Sequence, residues 1–99
     1  MLLRDDAGAI AAGLSAFTWA GWLEIKYVWV AEHLRGQGYG RTLVETAETE
    51  ARARGCQHVW LDSYTFQAPT FYEHLGYAVF GELAGFPPPH KRIFLTKAL

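Results

Sequence analysis

The hexapeptide Arg35-Gly36-Gln37-Gly38-Tyr39-Gly40, followed by Arg41, carries the densest chemical signal in the chain. Glycines let successive backbone N–H groups point the same way without interference from Cβ atoms. A helix beginning here adds its positive dipole end and its unpaired N-terminal donors. Such a loop can wrap an anionic phosphate in backbone amides, and Arg35 and Arg41 bracket it with positive charge. Two phosphate loops of other kinds do not fit. A dinucleotide fingerprint needs GxGxxG or GxGxxA directly at the end of a strand. Asp62 could supply its acidic residue, but the sixth position is Arg41 counted from Gly36 and Leu43 counted from Gly38, and Ala31 to Leu34 separate the loop from the apolar strand. A Walker loop fails because no Gly-Lys-Ser/Thr occurs.

The elements that must hold this loop read in the order β-β-β-α-β-α-β-β. Leu2 to Arg4 is a short strand, Asp5, Asp6 and Gly8 form a hairpin turn, and Ala9 to Trp19 is the return strand. Ala20 and Gly21 make a second tight turn. Trp22 to Val30, rich in β-branched and aromatic residues, is the next strand, with Trp22, Glu24, Lys26, Val28 and Val30 on one face by alternation and Leu23, Ile25, Tyr27 and Trp29 on the other. After the loop a helix runs from about Gly38 to Arg54. Leu43, Val44, Ala47 and Ala51 form its buried stripe, Glu48 with Arg52 and Glu50 with Arg54 make outward pairs, and Gly55 ends it. His58 to Tyr64 is a strand, a short helix begins near Ala68 with Pro69 in its first turn and stops at Gly76, and Tyr77 to Leu83 and Arg92 to Lys97 are the last strands. The loop Ala84 to Lys91 between them carries three consecutive prolines.

These residues resemble the GNAT N-acetyltransferase superfamily. Its acyl-CoA loop, Q/R-x-x-G-x-G/A, is met in order by Arg35, Gly38 and Gly40. Its second signature, A-x-x-F/L-Y-x-x-x-G-F/Y, is met by Ala68 to Tyr77 in a strand-helix-strand setting. The resemblance covers nearly the whole chain and implies an α/β (α+β) fold with a mixed, mostly antiparallel sheet and two helices, lacking the family's opening strand and first two helices.

The resemblance also implies roles. Amides of Arg35, Gly36, Gln37, Gly38, Tyr39, Gly40 and Arg41 would hold the pyrophosphate of acetyl-CoA, the cosubstrate. The strand end Val28, Trp29 and Val30 would pair its main chain with the pantetheine arm and splay from the strand His58 to Tyr64. Tyr72 matches the tyrosine that protonates the departing thiolate, a step suited to a phenol with a pKa near 10; alternatively it joins Phe71 and Leu75 in the buried stripe of a short helix. Glu24 is the candidate general base for an amine that must lose a proton before attacking the thioester. Equally, it pairs with Lys26. Thr65 stands where many relatives have an asparagine that contacts cofactor or backbone, and a hydroxyl replaces one amide hydrogen bond but not two. His90 follows Phe86-Pro87-Pro88-Pro89 in a loop that borders the acceptor cleft in this fold. Asp62 either faces the acyl slot or caps the next turn.

Composition narrows the class. Ninety-nine residues, half of them apolar and rich in aromatics, suit one small domain spanning 1–99 with a core of large side chains. Cys56 is alone, so neither an internal disulfide nor a cysteine zinc site is available; just past a helix C-terminus its thiol is a poor nucleophile. His33, His58, His74 and His90 are too dispersed for a metal site, and none is expected. A net charge of −1 with scattered basic residues gives no reason to expect nucleic acid or an anionic membrane as partner. With no long uncharged apolar run and no signal-peptide layout, the chain reads as soluble and cytoplasmic.

The expected activity is acetyl transfer to a primary amine by direct attack in a ternary complex. The alternative is a non-catalytic module that binds acyl-CoA or serves in assembly. Absent opening elements would bare a sheet edge and an apolar patch, including some of Trp19, Trp22, Trp29 and Trp60, so a homodimer is expected.

Overall fold

Three antiparallel strands arise from the first third of the chain: β1 (Leu2–Arg4), β2 (Ile10–Trp19) and β3 (Trp22–Val30). The Asp5 carboxylate closes the first hairpin by accepting the N–H groups of Ala7 and Ala9, both at 3.0 Å. The second hairpin turns on Ala20 (φ 52°) and Gly21 (φ 83°), both left-handed, which is the hand that matches strand twist. A short 3-10 turn, Glu32–Leu34, was not evident in the sequence pattern and leads into the glycine loop. Then follow α1 (Tyr39–Ala53), β4 (His58–Tyr64), α2 (Pro69–His74), β5 (Ala78–Ala84) and β6 (Lys91–Ala98). The computed structural model describes residues 1–65 and 69–99, so Ala68, expected to open the second helix, lies outside the described residues.

The strands form one mixed sheet in the order β1-β2-β3-β4-β6-β5. Only β3 and β4 are parallel; the other neighbours run antiparallel. Parallel neighbours need a crossover, and α1 provides it. Its stripe of Leu43, Val44, Ala47 and Ala51 packs on Leu23, Ile25, Val59, Leu61, Ile93 and Leu95, with Phe71, Tyr72 and Leu75 against the same cluster. Burial of each large aliphatic side chain there contributes roughly 1.5–3 kcal/mol before the entropy of ordering is counted. Gly55 (φ 82°) ends the helix as expected, with the Cys56 N–H reaching back to the Ala51 carbonyl at 2.9 Å.

Two expectations need correction. Simple alternation along β3 fails because Ser15 pairs with Tyr27 while Ala16 pairs with Ile25, leaving Lys26 as an extra residue. This β-bulge flips the strand. Leu23 and Ile25 before it and Val28 and Val30 after it all serve the core under α1, while Trp22, Tyr27 and Trp29 are exposed. Glu48, expected to point outward to Arg52, is instead 3% exposed and held by Lys97 and Tyr77. The outward pair of Glu50 with Arg54 forms as expected, at 3.0 Å.

Ala20 is the one non-glycine residue with positive φ among those described. Because Asn tolerates the left-handed region better than Ala, Ala20→Asn should raise unfolding free energy by about 0.5–1 kcal/mol, read as a higher urea midpoint with an unchanged slope.

Candidate functional site

The site starts where two parallel strands stop pairing. β3 and β4 are joined from Trp22↔His58 to Ile25↔Leu61 and no further, although both strands continue, β3 to Val30 and β4 to Tyr64. Beyond the bulge, Val28, Trp29 and Val30 keep their antiparallel bonds to β2, and β4 keeps its bonds to β6. The ladder between β3 and β4 thus stops before either strand does, and beyond it their facing edges diverge into a slot. A strand edge that stops pairing with its neighbour favours an extended partner.

The glycine loop lies at the mouth of that slot, and its glycines act differently. Gly36 (φ 82°) and Gly38 (φ 87°) adopt the left-handed conformation, with open space where a Cβ would be. Gly38 is the N-cap of α1, with no side chain capping the helix. The Thr42 N–H bonds to the Gly38 carbonyl at 3.0 Å, so the first-turn amides of Tyr39, Gly40 and Arg41 have no helical carbonyl to bond. Gly40 serves close packing instead: a Cβ there would meet Phe71 Cζ at 3.2 Å and Val30 Cγ2 at 3.6 Å. This contact brings the start of α1, the end of β3 and α2 to one point. The Arg35 side chain lies back toward the Val30 carbonyl at 3.4 Å, and Arg41 pairs with Glu45 at 3.3 Å on the exposed helix surface.

Tyr72 sits on α2 between Phe71 and Tyr77, whose rings meet it edge-on at 5.0 and 5.9 Å. Burial raises its pKa above the usual phenol value, so it is protonated at neutral pH. Its hydroxyl makes no hydrogen bond among the described residues, leaving the proton available to donate. The buried-stripe reading of Phe71, Tyr72 and Leu75 is also realised, because all three pack on the core.

Glu24 projects from the opposite face of the sheet, one residue before the last β3–β4 pair. Its carboxylate is 15% exposed and pairs with Lys26 at 2.9 Å. It lines a cleft of about 570 Å³ with Phe17, Trp19, Trp22, Trp60, Phe80 and Thr96. Glu24 and Tyr72 therefore lie on opposite faces of the sheet.

Other candidates have structural partners. Thr65 Oγ1 accepts the Lys91 N–H at 3.0 Å and lies 3.3 Å from His90 Nδ1, so this hydroxyl braces the end of β4 against the proline loop. Asp62 neither caps the next turn nor stands alone in the slot; it is bound by Arg92 across the β4–β6 pair. Trp19, Trp22 and Trp29 are exposed, at 78%, 39% and 41%, in line with the expectation that some of the four rings would be bare. The Lys97 and Tyr77 partners of Glu48 were missed. Helical spacing held a signal, since Glu48 follows Ala47 and lies four residues after Val44 on the buried stripe.

A splayed parallel pair, a glycine loop feeding the crossover helix and a tyrosine on a short helix define an acetyltransferase-like α+β architecture. The chain belongs to the Acetyltransferase (GNAT) family, whose sequence model matches residues 1–77. An acetyltransferase of Agrobacterium fabrum is 37% identical over 81 residues, covering 82% of this chain and 59% of that protein. The blasticidin-S acetyltransferase of Streptomyces morookaense is 34% identical over 95 residues, covering 95% of this chain and 70% of the relative. The crystal structure of an acetyltransferase from Bacillus cereus superposes with a TM-score of 0.95 at 34% identity, over 100% of this chain and 71% of that one. This chain therefore spans about three-fifths to seven-tenths of these three proteins.

The three-way contact at Gly40 can be tested alone. Gly40→Val should press on Phe71 and Val30 and lower stability by about 1–3 kcal/mol, seen as a reduced urea midpoint.

Proposed function

We propose that this chain transfers an acetyl group from acetyl-CoA to a primary amine by direct attack in a ternary complex. One observation carries the reading: the edge of β3 that no longer pairs with β4 past Ile25 leads to a helix N-terminus with no side-chain cap, built on left-handed glycines. An edge that can pair with an extended amide-bearing arm thus ends at an anion site, and acetyl-CoA has both features in that order. In this reading Val28, Trp29 and Val30 pair with the pantetheine arm. Amides from Arg35 to Arg41 hold the pyrophosphate, with the two arginines adding charge.

Their placement on the two faces supports separate roles for Glu24 and Tyr72. Glu24 takes a proton from the acceptor ammonium, after giving up its pairing with Lys26. The freed amine attacks the thioester carbonyl, the C–N bond forms and the C–S bond breaks. Tyr72 gives its proton to the departing thiolate, the proton shed by the acylated nitrogen restores the phenol, and burial that keeps the phenol protonated suits Tyr72 to that step. No covalent enzyme intermediate is needed, and Cys56 is buried away from the slot. The Streptomyces relative's name makes blasticidin S the first acceptor to assay.

A second reading, assembly as a homodimer with or without catalysis, is favoured by the aromatic face beside Glu24. Trp19, Phe80, Phe17 and Trp22 are exposed together on that face, and contiguous apolar surface of this kind suits a protein contact. A second copy closing this face would bury it.

Isothermal titration with acetyl-CoA should give binding that an Arg35→Ala/Gly38→Val double variant weakens by roughly tenfold or more. Titration with no heat from the folded chain removes the cofactor reading and leaves assembly. Tyr72→Phe should lower kcat by about 100-fold with acetyl-CoA affinity changed by less than about twofold. For the dimer, sedimentation velocity at micromolar concentration should give a two-chain species that Trp19→Ser/Phe80→Ser returns to monomer.

A further inference from the structure

Among the described residues Glu48 is the only charged side chain that is buried, and the proposed reaction gives it no role. Both its oxygens accept from Lys97 Nζ at 3.1 Å, and Oε2 also accepts the Tyr77 hydroxyl at 2.7 Å. The same ammonium donates to the Leu75 carbonyl at 2.8 Å, just past the end of α2. One carboxylate on the crossover helix therefore ties together β6, the start of the β5 approach and the C-terminal turn of α2.

That turn is where Tyr72 is held. Its carbonyl accepts the N–H groups of Leu75 and Tyr77, each at 3.0 Å, and its ring lies edge-on to Tyr77. α2 has six residues and none is fully buried, so neither helix length nor deep packing fixes its position. Burying an ion pair is a poor way to gain stability, because desolvation offsets most of the attraction. It is a good way to specify one geometry, since each donor and acceptor must find its partner. Tyr77 suits this use: burial first, then its bond to Glu48, raises its pKa and keeps the hydroxyl a donor.

We propose that Glu48, Lys97 and Tyr77 are positioning residues that set Tyr72 against the cofactor-binding start of α1. The inference rests on Tyr72 acting as the acid. The test uses hydroxylamine as probe nucleophile, because it is largely uncharged at neutral pH and needs neither Glu24 nor a shaped acceptor pocket. Release of CoA thiol from acetyl-CoA is followed for the wild type, for Tyr77→Phe, and for Glu48→Gln/Lys97→Met, which removes both buried charges together. Both variants should lose roughly tenfold in kcat while KM for acetyl-CoA stays within about twofold. Added to Tyr72→Phe they should cost nothing more, because their effect passes through the missing hydroxyl. Losses that multiply with Tyr72→Phe, or a change in KM alone, overturn the inference.

If Tyr72→Phe itself leaves kcat unchanged, the acid assignment fails, and the positioning inference is then decided by ring signals of 13C-labelled tyrosine. The Tyr72 signal should shift in Tyr77→Phe and in Glu48→Gln/Lys97→Met. An unmoved signal in folded protein overturns the inference.

Discussion

Everything distinctive in this fold depends on β3 and β4 being parallel neighbours that pair for only part of their length. A parallel pair cannot be closed by a hairpin, so the chain must cross over, and the crossover places the N-terminus of α1 beside the end of β3. The bulge at Lys26 then turns the last part of β3, so that Val28 and Val30 still serve the core while the main-chain edge toward β4 is left open. Continued pairing would satisfy those backbone groups and abolish the slot. The molecule gives up part of a ladder, at a cost of the order of 1 kcal/mol for each bond not made, and gains an edge that an extended ligand can complete.

The loop at the head of the slot solves a second geometric problem. Amides converge on an anion only if the backbone passes through left-handed conformations, and Gly36 and Gly38 supply two in close succession. Gly40 meets a different need, since its missing side chain lets α1 begin against Phe71 and Val30. The phosphate-type loop, the strand edge and the helix bearing Tyr72 are thereby packed into one unit rather than hung on separate loops.

Much of this was legible in the sequence because it depends on local signals. The glycine spacing, the β-branched run before it, the Pro69 and Gly76 punctuation and the Ala20-Gly21 turn each act over a few residues, and the elements they implied are present with ends shifted by a residue or so. The bulge was not legible. Its position depends on how Ser15 and Ala16 of β2 meet β3, and a strict two-residue period across Lys26 put Val28 and Val30 on the wrong face. Glu48 was misread because an i,i+4 charge pair is a rule for solvated helix faces, whereas its partners come from β6 and from beyond α2, distant in sequence. Asp62 was similarly claimed by Arg92, thirty residues away, rather than by the next turn.

The two faces of the sheet differ in a way that bears on proton movement. Under α1 the sheet is closed by an aliphatic core, with Tyr72 at its margin; on the other face Glu24 sits among aromatic rings. Proton removal and proton donation in the proposed reaction thus occur in different surroundings. A base must exchange its proton with solvent after each turnover, and Glu24, paired with a half-exposed Lys26, keeps that access. An acid that serves a basic thiolate must remain protonated until the bond breaks, and burial against Phe71 and Tyr77 favours this for Tyr72. Had both groups shared one face, one environment would have had to serve opposite requirements. Separation by the sheet gives the two proton transfers of the proposed reaction different surroundings.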